Sequence, residues 1–208
     1  KNTGYNTFRQ LAVKVGMDDV SDRDYFLWLD KTILELTKTP GNFSFKEKNG
    51  VRSDPPLNTA VYYDTMDYKL LPKGALLRTS CNKVTHAFCA FKMPEDESGN
   101  RVDRRHVFEG YQKEKIQEAP YSPEAISIVK NLLSRTDIEH PGTFLKQTYG
   151  IGAKDLLPAM VLYGHRSTFF ALIDGLDALR CSIDRSKVFD IRHDPEQENL
   201  KSLGKLKK

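Results

Sequence analysis

The amino-acid sequence predicts an α+β fold, in which many antiparallel strands form the sheet and helices lie in the connections between them. Two observations indicate this class. Short runs of alternating apolar and polar residues recur along the chain, and turn residues such as Pro72 and Gly74 separate them. Two further segments repeat their apolar residues at helical spacing instead. Strands are therefore expected to outnumber helices.

The first predicted elements are a strand at Thr7–Val15, where apolar and polar residues alternate, and a helix over residues 21–37. Ser21 is a suitable N-cap for this helix, and apolar residues follow at a spacing of three and four. Pro40 and Gly41 then end the helical pattern. We therefore expect a helical connection between the first strand and the rest of the sheet.

Four strands are predicted in the middle of the chain. One begins at Thr59 after a pair of prolines, and Ala75–Ser80 forms the next after a turn. The stretch Lys83–Tyr111 then alternates like a β-hairpin, with the polar loop PEDESGN between its two arms. Sequential pairing of these strands would produce an antiparallel sheet.

A second helix is predicted over residues 122–136. Ser122 is its N-cap, Pro123 occupies the first turn, and Glu124 lies near the positive end of the helix dipole. After it, two long strand-like runs are expected to turn back at Asp174 and Gly175.

Composition is typical of a folded protein of one domain, over residues 1–208. The chain has 208 residues, 39% of them hydrophobic and 29% charged, and a net charge of +4, which is modest for a nucleic-acid binder. No apolar run approaches the roughly 18 residues of a membrane span. We therefore expect a cytoplasmic protein, or a nuclear or membrane-peripheral one if the chain is part of a larger protein. The basic tail at 195–208 is expected to be frayed.

Charged residues recur inside the strand-like runs. Residues two apart in a strand share a face, so Lys92 is expected to face the same way as Phe88, and Arg105 the same way as Glu109. The cations of separate runs are Arg78, Lys92, Arg105, Arg166 and Arg180. They could all lie on a solvated face of an ordinary sheet. A sheet that curls closed would instead point them inward, where paired carboxylates or a bound polyanion must neutralise them.

The order of these motifs resembles that of the CYTH, or triphosphate tunnel metalloenzyme, superfamily. The stretch YYDTMDYKLLPKGALLR, from Tyr62 to Arg78, is the most specific match. AFCAFKMP is similar to the strand with a central lysine in that family, and RRHVFEG to the strand that follows it. The late run from Gly164 to Arg192 is closest to the polyphosphate-polymerase branch.

This resemblance implies a closed or nearly closed antiparallel β-barrel of about eight strands that binds triphosphates or polyphosphates. It also implies phosphate transfer or hydrolysis with Mg²⁺ or Mn²⁺, for which Lys92 and Glu109 would be the candidate catalytic residues. The implied metal ligands are Glu109 and Asp184. The implied phosphate ligands are Lys14, Arg78, Lys92, Arg105, Arg166 and Arg180.

The sequence also departs from the family pattern where carboxylates are expected. The first strand should read E-x-E-x-K, yet Gln10 and Ala12 precede Lys14 here. Ser80 replaces a second arginine, and Val107 stands in place of a glutamate. Hard divalent cations require several oxygen ligands. A phosphate-binding or polyphosphate-sensing module without catalysis is therefore an alternative to an enzyme, and a binder of RNA 5′-triphosphate ends is a second alternative.

Overall fold

A computed structural model represents the protein. It describes residues 5–11, 16, 21, 24, 27–28, 31–32, 34–35, 38, 42–49, 57–193 and 200–207. These residues group into two compact units. The first unit lies within Lys1–Val13, Asn58–Tyr163 and Lys187–Gly204, and the second within Lys14–Leu57, Gly164–Ser186 and Lys205–Lys208.

Nine strands form one sheet among these described residues. Hydrogen-bonded neighbours follow the order β1-β6-β5-β4-β3-β7-β8-β9, and β2 pairs with β7. The strands are β1 (Tyr5–Leu11), β2 (Phe43–Asn49), β3 (Leu57–Asp64), β4 (Leu76–Cys81), β5 (Ala87–Lys92), β6 (Asn100–Val107), β7 (Leu157–Ile173), β8 (Leu176–Asp190) and β9 (Lys201–Lys207). Each pairing whose register is described is antiparallel. The predicted α+β class is therefore confirmed.

Three α-helices have their bounds within the described residues: α1 (Gly110–Glu118), α2 (Pro123–Ser134) and α3 (Pro141–Tyr149). The helix predicted from Ser122 is α2, and the Ser122 side chain accepts a hydrogen bond from the backbone N–H of Ala125 at 3.2 Å. None of the described helices is long and apolar enough to cross a membrane.

The core of the first unit lies between one face of the sheet and these helices. Leu77 of β4 and Phe91 of β5 point to this side and are 1% and 0% exposed. Helix α2 contributes five buried residues and α3 contributes Leu145. Because strand residues alternate, the same strands present their other residues to the opposite face of the sheet.

The loop after β3 is held by one buried carboxylate, that of Asp64. Asp64 is 0% exposed and accepts hydrogen bonds from the backbone N–H groups of Thr65 at 2.7 Å, Leu70 at 3.0 Å and Leu71 at 3.0 Å. The aspartate of the YYDT stretch is therefore a structural residue in this chain. Its bonds turn the backbone from β3 towards β4.

The connection between β7 and β8 is the predicted two-residue turn. Asp174 and Gly175 both have positive φ, 52° and 78°, as the twist of a tight hairpin requires. Gly164 of β7 lies close to β8. A Cβ at this position would collide with the Ser186 side chain and lie 3.1 Å from the Arg185 carbonyl oxygen. Glycine is therefore needed here for the close approach of β8.

Several elements differ from the expectations. Helices α1 and α3 and strand β2 are additional to the predicted elements. Part of the expected frayed tail is strand β9, next to β8 in the sheet order. The described residues 24, 27, 28, 31, 32, 34 and 35 are helical within the predicted 21–37 helix, whose bounds lie outside the described residues. Strand β1 ends at Leu11, and the predicted end at Val15 also lies outside them.

Candidate functional site

The candidate site is on the face of the sheet opposite the helices, within the first unit. Arg78 of β4 pairs with Ala90 of β5, and Ala90 pairs with Arg105 of β6. Two residues away on each strand, Leu76 of β4 pairs with Lys92 of β5, and Lys92 pairs with Asp103 of β6. Directly opposed residues of antiparallel strands share a face. Arg78, Lys92 and Arg105 therefore project from three adjacent strands on one side, and we call these three residues the cationic face.

The acidic side chain that bonds within the cationic face is Asp103. It is 4% exposed, and its Oδ2 atom lies 3.4 Å from Lys92 Nζ and 3.1 Å from Arg105 Nη2. Its Oδ1 atom is buried without a hydrogen-bond partner. Asp103 thus holds the two cations beside each other through a single oxygen. Removing one partner of a buried ion pair is strongly destabilising, so we expect Asp103 to be needed for this arrangement.

Lys92 is more deeply placed than Arg105, since its side chain is 15% exposed and that of Arg105 is 30% exposed. Burial, and after it the charge of Arg78, lower the pKa of Lys92 to about 8 although Asp103 opposes this shift. The unfolded chain therefore binds more protons at this position between about pH 8 and 10.5. Protonated Lys92 costs stability below pH 8, and the cost disappears as the pH rises through that range.

Aromatic rings support both arginines of the cationic face. The guanidinium carbon of Arg105 lies 4.1 Å from the centre of the Phe88 ring, and Phe88 in turn stacks on His86 at 5.3 Å. The guanidinium carbon of Arg78 lies 5.9 Å from the Tyr62 ring, and its Nη1 donates to the Tyr62 hydroxyl at 3.4 Å. Cation–π contacts orient a guanidinium without neutralising its charge. The rings therefore orient both arginines, and Arg105 is in addition paired with Asp103.

Glu109 was expected to share a face of the strand with Arg105, and the structure does not place it there. Strand β6 ends at Val107, and Glu109 is the exposed N-cap residue of α1. Gly110 has a φ of 51°, which redirects the backbone after the strand. Together with His86 and Lys113, Glu109 borders a shallow surface depression beside the strand ends.

The second unit contains Arg166, Arg180 and Asp184. Arg166 donates to both carboxylate oxygens of Asp184, with Nε–Oδ1 and Nη2–Oδ2 distances of 2.5 and 2.6 Å. This bidentate pair is 45% exposed at the arginine and 16% at the aspartate. Arg180 is exposed on β8. Asp184, one of the two expected metal ligands, is therefore engaged by an arginine.

The expected phosphate ligands thus fall into three groups. Arg78, Lys92 and Arg105 come together in the first unit, Arg166 and Arg180 lie in the second, and Lys14 lies outside the described residues. Asp103 was not expected as a site residue. Alternation already placed it on the face of Arg105, but only the register shows that it lies directly opposite Lys92.

Among the residues that the structure describes, the donor groups do not fit a bound Mg²⁺ or Mn²⁺. Such ions take several carboxylate or carbonyl oxygens in a compact set. In the part of the chain that the structure describes, no group of three or more His, Cys, Asp or Glu side chains could hold a metal ion. Asp103 accepts from two cations, and Asp184 is paired with Arg166. Strand β1, which pairs with β6, has the sequence YNTFRQL and contributes no carboxylate.

Comparisons with known proteins find similar solved structures, among them two described as adenylate cyclases. No protein-family model matches the chain, and no curated protein matches it. A "putative adenylate cyclase" of Bacillus halodurans is similar with 14% identity and a TM-score of 0.44, over 98% of this chain and 79% of that one. A "putative adenylyl cyclase" of Hippeastrum, whose description reports a dominant triphosphatase activity, is similar with 8% identity and a TM-score of 0.42, over 98% and 78%.

Both matches are distant in sequence and in structure. At identities of 14% and 8% and TM-scores below 0.5, they say nothing about the ligand, metal or chemistry of this chain. The function has to be argued from the residues of the cationic face.

Proposed function

We propose that this protein binds a triphosphate or polyphosphate through the cationic face. The observation that supports this function is that Arg78, Lys92 and Arg105 project from three adjacent strands on one face, where the buried carboxylate of Asp103 holds the last two together. Like charges held together at partly buried positions repel each other and lose hydration. A ligand with several negative charges relieves both costs at once.

The residue types suit phosphate oxygens. A guanidinium offers several donors in a fixed plane, and an ammonium acts as a compact point charge. Two arginines flanking a lysine can therefore contact more than one phosphate group of a chain. The aromatic contacts of Arg78 with Tyr62 and of Arg105 with Phe88 limit the freedom of both side chains before binding. Such preorganisation lowers the entropy that binding would otherwise cost.

Binding without hydrolysis is the form of this function that the donor set favours. Phosphoryl transfer relies on metal ions to bridge and neutralise phosphate oxygens. Glu109 is exposed beyond the end of β6, and Asp184 is paired with Arg166. Glu109 thus lies beyond the strand that carries Arg105, and Asp184 is already engaged by an arginine. We therefore place a polyphosphate-binding or sensing module ahead of a metal-dependent hydrolase or transferase.

Calorimetric titration with tripolyphosphate tests the binding. Arg78→Ala removes one guanidinium, and charge-assisted hydrogen bonds contribute about 1.5–3 kcal/mol each. We therefore expect Kd to rise by roughly 10-fold to 100-fold. Lys146→Ala is the matched control, because Lys146 is an exposed cation on α3, in the helix layer on the other side of the sheet. It removes the same charge and should change Kd by less than about twofold.

Phosphate release separates the binding module from the enzyme. Tripolyphosphate and ATP are incubated with the protein in Mg²⁺, in Mn²⁺ and in a chelator, and free phosphate is measured. The binding module predicts no sustained release under any of these conditions. Metal-dependent turnover that Lys92→Met abolishes would show that the protein is an enzyme.

A further inference from the structure

Lys92 lies between two arginines on one face and is partly accessible. Its amine is flanked by Arg78 of β4 and by Asp103 and Arg105 of β6, and its side chain is 15% exposed. Among the described residues, these three are charged groups on the neighbouring strands that shift its pKa. A nucleophile beside a preformed phosphate site is an arrangement in which a phosphate-bearing electrophile would be directed to the amine.

The amine of Lys92 is also more reactive than that of an ordinary lysine. With a pKa of about 8, half of the Lys92 amines are neutral at pH 8. An unperturbed lysine with a pKa of about 10.4 is neutral to roughly 0.4% at that pH. Only the neutral amine is a nucleophile, so Lys92 has about 100-fold more of the reactive form.

We propose that Lys92 is a site of acylation by acyl phosphates, which the cationic face captures through their phosphate group. This inference rests on the proposed function, because the same arginines that would bind a triphosphate would hold the phosphate of the reagent. The ligand class is a small carboxylic–phosphoric anhydride such as acetyl phosphate.

The chemistry is a direct acyl transfer. Neutral Lys92 Nζ attacks the carbonyl carbon, an amide C–N bond forms, and the C–O bond to phosphate breaks. The amine loses one proton, and the leaving phosphate takes it up as HPO₄²⁻. No oxidant, metal or further reactant is needed. Arg78 and Arg105 stabilise the negative charge that develops on the leaving phosphate.

Acylation would lower the affinity of this site for anions. The amide is neutral and has lost the charge that Lys92 contributes to the cationic face. Conversely, a bound triphosphate would occupy the arginines and shield the amine. Acylation would therefore weaken triphosphate binding rather than abolish it, and triphosphate binding would slow acylation. A bound phosphate also favours the protonated amine, so the reaction should accelerate as the pH rises from 7 to 9.

Lys115 on α1 provides a matched comparison within the same unit. Its side chain is 33% exposed, more than that of Lys92, and it pairs with Glu118 at 3.4 Å and with Glu124 at 3.8 Å. The charge of Glu118 raises the pKa of Lys115, which keeps its amine protonated. Exposure alone would favour reaction at Lys115, whereas phosphate capture and a neutral amine favour Lys92.

The test treats the whole chain with acetyl phosphate at pH 8 and measures acetylation of each lysine by peptide mass spectrometry. We expect Lys92 to react at least 10-fold faster than Lys115 and tripolyphosphate to protect Lys92 alone. Acetic anhydride, which lacks a phosphate, is the reagent control. Arg78→Ala should lower the ratio of the acetyl phosphate rate to the anhydride rate at Lys92 at least threefold, whereas Lys146→Ala should not.

Two failures can be told apart. If tripolyphosphate binds in calorimetry but acetyl phosphate labels Lys92 no faster than Lys115, acylation is wrong and the proposed function stands. If calorimetry detects no tripolyphosphate binding, the proposed function fails. Labelling of Lys92 whose rate ratio is unchanged in Arg78→Ala would overturn phosphate capture as its cause.

Discussion

Asp64→Asn is predicted to destabilise the protein strongly without touching the cationic face. The side chain is fully buried and receives the backbone N–H groups of Thr65, Leu70 and Leu71. Asparagine has nearly the same shape but offers one acceptor oxygen instead of two. Its NH₂ group would face the backbone N–H groups, which are donors as well. The loop between β3 and β4 would therefore lose part of the anchoring that the carboxylate gives it.

The size of the effect follows from these contacts. Leu70 is 0% exposed, so water cannot replace a lost partner for its N–H group. A hydrogen bond to a charged acceptor contributes about 1.5–3 kcal/mol, and a buried donor without a partner costs about 1–3 kcal/mol. With one bond lost and two weakened, we expect the free energy of unfolding to fall by about 3 kcal/mol.

Urea denaturation followed by circular dichroism measures this change. A loss of about 3 kcal/mol should move the midpoint by roughly 1–2 M, given typical denaturant slopes. Asp155→Asn is the control, because the exposed Asp155 accepts from the N–H group of Gly152 at 2.9 Å. It should cost less than about 1 kcal/mol. A loss below 1 kcal/mol in Asp64→Asn would refute the structural role of this carboxylate.

Three further predictions concern single positions. The stability of the wild type relative to Lys92→Met should rise between pH 7 and pH 10, because the lowered pKa of Lys92, about 8, makes its protonated form costly at the lower pH; urea midpoints that stay parallel across this range would contradict it. Gly164→Ala should lower the melting temperature because its Cβ collides with Ser186, and adding Ser186→Gly should restore part of the loss; a double variant no better than the single one would show another cause. His140→Ala should cost about 1–3 kcal/mol, because the buried His140 accepts from the Gly142 N–H at 3.0 Å and bonds the Arg135 carbonyl at 2.7 Å; an unchanged urea midpoint would contradict this.

The faces of the central hairpin could be predicted from alternation alone. Spacing placed Lys92 on the face of Phe88 in one arm, and the register shows that Lys92 and Arg105 both lie on the side away from the core. Alternation requires only that the strands exist, since the side-chain period is two. The pairing of Lys92 with Asp103 could not be predicted in this way, because it depends on which residues lie opposite each other.

Glu109 shows where alternation fails. Its spacing from Arg105 would place both on one face if the strand continued, but β6 ends at Val107. Gly110 takes a positive φ of 51°, and α1 follows immediately. The sequence GYQKEKIQE buries one residue, Ile116, so it offers little apolar periodicity from which to predict a helix. Gly110 was the residue from which the end of the strand could have been predicted.

The other missed elements have weak local signals too. Helix α3 begins after His140, whose ring accepts the capping hydrogen bond in place of a serine, threonine or aspartate. Strand β2 has the sequence FSFKEKN, in which apolar and polar residues alternate only in the first half. By contrast, Ser122 and Pro123 predicted the start of α2 correctly because they satisfy the free N–H groups of a helix by a local mechanism.

The most direct test of the cationic face is calorimetric titration of tripolyphosphate into the wild type, Arg78→Ala, Lys92→Met and the control Lys146→Ala. Binding to the cationic face predicts a Kd raised by roughly 10-fold or more in the first two variants and unchanged within about twofold in the control. Equal affinities in all four proteins, or no binding by the wild type, would contradict it.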